Sequence, residues 1–459
     1  MMAAAFVKKW GDRITMTTAT TARTHRKTRT GRSRRARAMA LLACSLLWAA
    51  AVLGCAGKAT PPMAPVVNAT AVAEPLPAPE PTQVCLLLPL SGPYAAYAQR
   101  ILQGARLAVS HIAGAGVPVS LSTIDTTGED WARSLATLPS AIRIVGGPMR
   151  PEALGEVLSA PGAFRRAHLA FMAELPAAVT TGQSGGAARA VAEGRDVWRF
   201  FTSAADNVDA LLSGAEAVGA RELGVLYPDE SFGVRRSILF RQMASGRGLH
   251  VAAAQRYTPD DPQGAARSAM RLLQESGGQE LGAVYIPDVW SQARQLIPNL
   301  LVLQRRRPLI LGSALWAQTM DMRRPDDALL FSGSVFPGAW WSGSDSQPAR
   351  ALRQGMAASG ARPGFWEALG FDFVRLACRM GDLPENFTPQ DVTAALQNAA
   401  RMDWAMAPLH WDAAGRAAQD LYLLTPTQTG AEPADMDALR QLLAVPDSPA
   451  TPTTPARNQ

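Results

Sequence analysis

Val84-Cys85-Leu86-Leu87-Leu88-Pro89-Leu90-Ser91-Gly92-Pro93-Tyr94 is the stretch on which the fold turns. An unbroken apolar run that stops at a proline describes a strand buried on both faces, as parallel sheets require. Ser-Gly-Pro then turns the chain. Over about 95–113, Ile101, Ala105, Ala108, Val109 and Ile112 fall on one helical face, and Gly114 and Gly116 end the helix. Strand, tight turn and helix are the first half of a βαβ unit.

The same alternation continues. Apolar runs at 84–89, 118–124, 142–146, 168–172, 222–227, 249–254, 282–287, 308–312 and 330–336 predict strands, with helical stretches between them. Thr388-Pro389-Gln390-Asp391 opens a late helix with an N-cap, a proline at N1 and an acid at N3, and Phe387 with Val392 forms a hydrophobic staple. Segment 408–424 returns to short strands. Two α/β halves are expected, one beginning at Val84 and one at Leu223.

The chain has 459 residues, 47% of them hydrophobic, enough to bury a core in one large or two medium domains. Its net charge of +7 invites a nucleic-acid reading. Residues 1–38, however, hold eleven basic residues and one acid, which leaves 34 basic against 37 acidic residues elsewhere. The body has no electrostatic footprint for nucleic acid. The basic stretch is followed by an apolar run from Met39 to Leu53 that is too short to span a bilayer, the pattern of an export signal. Val52-Leu53-Gly54-Cys55 resembles the bacterial lipobox, which implies lipidation at Cys55. Residues 58–82 are rich in Pro and Ala, a composition that does not fold and serves as a tether. The expected organisation is a leader over 1–54, a lipidated Cys and tether over 55–83, and a Pro-rich tail ending 426–459. Cys85 and Cys378 remain in the body, as buried free thiols or as a disulfide.

The opening motif, with Gln103-Gly104-Ala105-Arg106, resembles the start of the leucine/isoleucine/valine-binding proteins. Leu226-Tyr227-Pro228-Asp229 with Phe232-Gly233 is similar to that family's first strand and turn in lobe two. Glu367-Ala368-Leu369-Gly370-Phe371-Asp372 resembles its late lobe-one helix, and Pro408-Leu409-His410-Trp411-Asp412 with Gly415 its final crossover. The four matches occur in family order. The resemblance implies an α/β, type I periplasmic-binding fold: two Rossmann-like lobes with parallel sheets joined by three crossing segments, and a ligand between them. Lobe one is then 84–203 plus 337–407, and lobe two 204–336 plus 408–425.

Carried onto this chain, the family's binding positions point to Ser91, Tyr94, Arg150, Glu174, Phe232 and Asp288. Trp316 joins them as an aromatic after a strand end, as do Trp290 and the pair Trp340-Trp341; each serves either as a stacking surface or as packing. Ser91 is equally a helix cap. The amino-acid pocket itself is rewritten. Gly146-Gly147-Pro148-Met149-Arg150 lacks the family's hydroxyl, and Glu174 stands near the expected Thr, where it repels a ligand carboxylate unless Arg150 neutralises it. A branch of penicillin-binding-protein activators, lipid-anchored partners of cell-wall synthases, is similar in keeping the fold with such a pocket. The expected partners are therefore a small molecule in the cleft, the membrane through the N-terminal lipid, and an ABC permease or a cell-wall synthase. The expected location is the cell envelope. His111, His168, His250 and His410 are scattered, and no catalytic or metal-binding motif occurs. No enzyme, cofactor or metal is expected. Asp125 suits a turn, and Arg305-Arg306-Arg307 a solvated helix end or an anionic surface.

Overall fold

The computed structural model describes residues 80–444, apart from 160–167, 177, 181–187, 322–323, 325, 381–382 and 384–386. The leader, the lipobox at Cys55, nearly all of the tether and the tail from 445 lie outside the described residues.

The first sheet begins with β1 (Thr82–Leu88), whose alternate residues supply two different cores. Val84, Leu86 and Leu88 face one layer, Cys85 and Leu87 the other. A 3-10 turn at Gly92–Tyr94 leads into α1 (Ala95–Gly114). β2 (Val119–Asp125), β3 (Ile144–Gly146), α2 (Pro151–Ser159) and β4 (His168–Phe171) follow. A small hairpin, β5 (Val179–Thr180) with β6 (Ala188–Arg189), precedes β7 (Trp198–Arg199). The sheet order is β2-β1-β3-β4-β7, all parallel.

The chain crosses after Phe200 into α3 (Ala204–Ala217), which opens with a capping box between Ser203 and Asp206. There follow β8 (Glu222–Pro228), α4 (Ser231–Gly246), β9 (His250–Tyr257), α5 (Pro262–Glu275), β10 (Ala283–Tyr285), α6 (Trp290–Leu303) and β11 (Leu309–Leu311). Two short helices, α7 (Trp316–Thr319) and α8 (Asp327–Leu330), lead to β12 (Ser334–Gly338). Trp340 packs on the first core and Trp341 on the second, so the pair straddles the second crossing.

Back in lobe one lie α9 (Gln347–Ala357), α10 (Phe365–Arg379) and α11 (Pro389–Ala399). Here two of the quoted motifs meet. Arg100 on α1 donates to both carboxylate oxygens of Glu367 on α10, at 2.6 and 2.8 Å. The helices approach so closely that a Cβ on Gly104 would lie 1.8 Å from the Glu367 carbonyl oxygen, and one on Gly370 1.9 Å from that of Ile101. α11 carries the expected capping box on Thr388, with Phe387 and Val392 in one core.

The third crossing comes later in the chain than the 408 boundary. β13 (Leu409–Trp411) and β14 (Ala417–Gln419) form a hairpin whose Leu409, Trp411 and Ala417 are buried in lobe one's core. Only at β15 (Tyr422–Thr427) does the chain rejoin the second sheet, antiparallel to β12. Residues beyond 426 extend that lobe: β16 (Gly430–Pro433) adds an edge strand and α12 (Met436–Ala444) packs Leu439 into its core. The second sheet runs β9-β8-β10-β11-β12-β15-β16. The motif 408–412 is apolar enough to join either lobe, and the alternation that buries Leu409 and Trp411 chooses the first.

Cys85 is wholly buried and Cys378 half-buried, and both are free thiols rather than a disulfide.

Candidate functional site

In open α/β sheets, ligands bind beyond the carboxyl ends of the strands. In lobe one those ends carry the loops after β1, β2, β3 and β4. Asp125, the last residue of β2, organises the first two: its Oδ1 accepts from Leu90 N–H at 3.0 Å, Thr127 N–H at 3.0 Å and the Thr127 hydroxyl at 2.7 Å. Burial works against the charge, but the bonds from Thr127 and Leu90 hold the carboxyl below its usual range. The turn role expected of Asp125 is therefore what it plays. Ser91 is exposed, and its hydroxyl shares a 2.8 Å hydrogen bond with Thr127 rather than capping the 3-10 turn. Tyr94, half-buried beside Glu152 and Arg150, has its phenol pushed up by burial first and Glu152 second.

Arg150 stands just before α2. Its Nη2 donates to the Thr126 carbonyl oxygen at 3.2 Å. Its Nε is buried without a hydrogen-bond partner, as is the Thr126 hydroxyl. Both residues line a cavity of about 500 Å³ with Thr127, Gly128, Glu129, Asp130 and Glu156. A guanidinium N–H and a hydroxyl without partners, both enclosed behind this cavity's wall, can donate to a ligand's oxygen once the wall moves to uncover them.

Glu174, in the loop after β4, does not meet Arg150. Its carboxylate reaches lobe two, where Arg236 on α4 donates to both oxygens, at 2.9 and 3.3 Å. The N–H of Ala204, first residue of α3, adds a third bond at 3.1 Å. Phe232, one turn before Arg236, lies under the guanidinium at 5.1 Å, a cation–π contact. Glu174 and Phe232 thus come together through Arg236, which was not among the residues singled out from the sequence. Its one signal there is the i, i+4 spacing from Phe232.

The other two residues fall elsewhere. Asp288, after β10, is 7% exposed. It accepts from the Tyr257 hydroxyl at 2.6 Å and from Val289 N–H at 2.7 Å. Burial pushes its carboxyl up to about 6, against the lowering effect of Tyr257. Trp316 is fully buried and makes no cleft surface. Its indole N–H donates to the Asp288 carbonyl oxygen at 3.0 Å, and its ring packs edge-on against Trp290 and Phe331. Gly312 makes room for it: a Cβ there would lie 2.6 Å from the ring. Trp290 belongs to the same aromatic core, stacked on Phe331 at 3.6 Å.

Among the described residues no group of three or more His, Cys, Asp or Glu is placed to hold a metal ion. Arg307 is built into lobe two through the Leu329 and Leu330 carbonyl oxygens, while Arg305 and Arg306 are exposed.

A two-lobed α/β body with its polar residues gathered at the strand ends is the form of a binding protein. The family model described as periplasmic binding protein matches residues 81–431, and the chain belongs to that family. No curated protein matches it closely enough to count as a relative. Solved structures share the fold. A protein of Rhodospirillum rubrum assigned to branched-chain amino acid ABC transport is 17% identical, with a TM-score of 0.60, over 77% of this chain and 100% of that one. A branched-chain amino acid ABC transporter periplasmic ligand-binding protein of Burkholderia xenovorans is 15% identical, with a TM-score of 0.56, over 78% and 93%. The C-domain of LpoA from Haemophilus influenzae, a regulator of PBP1A, is 17% identical, with a TM-score of 0.54, over 77% and 99%.

Proposed function

We propose that the chain is an extracytoplasmic, lipid-tethered binding protein, not an enzyme, that closes its two lobes on a small polar molecule. The observation that carries this reading is the cavity at the end of β2, where Arg150 Nε and the Thr126 hydroxyl are buried and unpartnered. Buried polar atoms are nearly always satisfied, and a shift of the wall that uncovers these two lets a ligand oxygen accept from them. The cavity's volume suits a small metabolite. Its one guanidinium, Arg150, stands among the carboxylates of Glu129, Asp130 and Glu156. The lining therefore suits a polar ligand that offers Arg150 an oxygen acceptor without being a net anion. The lipobox at Cys55 supplies the anchor, and an ABC permease is the partner such a protein serves.

A thermal-shift screen of the mature chain against amino acids, short peptides, muropeptides and sugars finds the ligand, since saturating ligand raises the melting temperature. Calorimetry on Arg150→Ala then tests the site. Loss of a charge-assisted hydrogen bond of about 1.5–3 kcal/mol weakens ligand binding roughly 10- to 100-fold. Unchanged affinity removes Arg150 from the site.

The Glu174–Arg236 pair favours a second reading, because it joins the lobes through the chain's own residues. A body held together in this way suits a regulator that presents a fixed surface to a cell-wall synthase. Silence across the ligand library, with co-purification of a synthase that is lost when residues 58–82 are cut, would establish that reading in place of the first.

A further inference from the structure

We infer that lobe two carries a carboxylate receptor which the chain fills with its own Glu174, and that a small carboxylate ligand binds there by displacing it. The inference rests on the reading of the space between the lobes as a small-molecule site and names the chemistry of one side of it.

Three parts of lobe two converge on one carboxylate. The two terminal nitrogens of Arg236 lie 2.9 and 3.3 Å from its oxygens, the fork geometry a guanidinium offers to any carboxylate. The first N–H of α3 points at Oε1 from 3.1 Å and adds the positive end of a 14-residue helix. The ring of Phe232 lies 5.1 Å from the guanidinium carbon and backs its plane. Glu174 itself belongs to the other lobe and to a loop rather than to a helix or strand. Its side chain is 47% exposed, against 19% for Arg236. The receptor is the embedded half of the pair, and the acid is the half that can leave. An ion pair open to water on one side is weak, so a free carboxylate competes with it on comparable terms. Displacement breaks the lobes' own link, which ties occupancy to lobe position.

Chemical rescue tests this on the full mature chain. Glu174→Ala empties the receptor, and small-angle scattering should then report a larger separation of the lobes. Acetate, which touches the receptor in lobe two alone, should raise the melting temperature saturably without restoring the compact curve, while chloride at equal ionic strength should do neither. If Glu174 holds the receptor about nine-tenths of the time, the wild-type chain needs about tenfold more acetate for the same occupancy. Glu174→Ala combined with Arg236→Met should show no rescue. Should that variant fail to fold, Arg236→Lys keeps the charge without the fork and should be rescued only weakly. Equal response of the single and double variants to acetate overturns the inference. So does a Glu174→Ala scattering curve that superimposes on the wild-type one. Arg150-dependent binding, measured on the same samples, separates the two failures: if it persists while rescue fails, only this inference falls.

Discussion

Each lobe buries one aspartate whose carboxyl is pushed up to about 6, and the two have little else in common. Asp372, on α10, is wholly enclosed. Burial raises its pKa against the opposing charge of Arg375. Its oxygens take Arg375 at 2.9 Å, Ala405 N–H at 2.8 and 3.0 Å, and Met406 N–H at 2.8 Å. Arg375 goes on to donate to the Asp403 carbonyl oxygen at 2.7 Å. This is a charged staple that pins 403–406 to α10 just before the last hairpin. Asp288 is met instead by a neutral phenol and one N–H, at the end of β10. Its backbone oxygen holds Ser313 and Trp316. The same displaced titration thus marks an ion pair in one lobe and a shaped loop in the other. The partners, not the pKa, tell the two apart.

The largest way to break this comparison is Asp372→Ala. It leaves Arg375 buried without its acid, a loss of about 3–5 kcal/mol in urea unfolding of the chain. A loss no greater than that from Asp288→Ala would mean that the charge contributes nothing special.

A smaller effect sharpens the contrast. A carboxyl raised in the folded state binds its proton more readily there than in the unfolded chain, so its contribution is fully present below about pH 4 and lost as pH rises through about 6. Asp288→Asn should cost about 1 kcal/mol near pH 4, one hydrogen bond's worth, and less at neutral pH, where it relieves the burial of the charge. It should also remove one of the two shares of that acid-side gain, leaving the Asp372 share. A pH profile identical to wild type would show that Asp288 does not titrate in this range.

The smallest expected effect has the opposite sign. His168 sits edge-on to Trp198 at 4.9 Å and tilted over Phe387 at 5.0 Å, and burial lowers its pKa to about 4. The folded state binds this proton less readily, so its contribution is present above about 6.5 and lost as pH falls toward 4. His168→Phe should steepen the acid-side gain by about 1 kcal/mol or less, since the site is only partly buried. A shallower profile in that variant would reverse the assignment.

What could be read from the sequence divides along physical lines. All nine apolar runs became strands: seven are interior strands, whose burial on both faces leaves an unbroken apolar signature, and β2 and β9 are half-exposed edges. β5, β6 and β7 are two residues each and leave none. β16 and α12 were missed because a half-exposed edge strand reads like the polar tail that follows it. Among the site residues, the loops after β1 to β4 were placed correctly as strand ends, yet partners were not. Glu174 was matched with Arg150, its neighbour in the list of loops, whereas the bidentate partner lies 62 residues away on the other lobe. Trp316 shows the other limit. An aromatic after a strand end looks like a stacking surface until the missing side chain of Gly312 lets the ring fold back beneath it.

The two free sulfurs among the described residues give the molecule a pair of clocks. The Cys85 thiol lies in β1 between β2 and β3, and burial raises its pKa despite the nearby Ser122 hydroxyl. Cys378, in the last turn of α10, is half-buried, its thiol pushed up to about 11 by burial. Thiolates react and thiols scarcely do. Alkylation at Cys378 therefore times the fraying of one helix end, while alkylation at Cys85 waits for the central strands of lobe one to part, so one reagent reads a shallow opening and a deep one in the same chain.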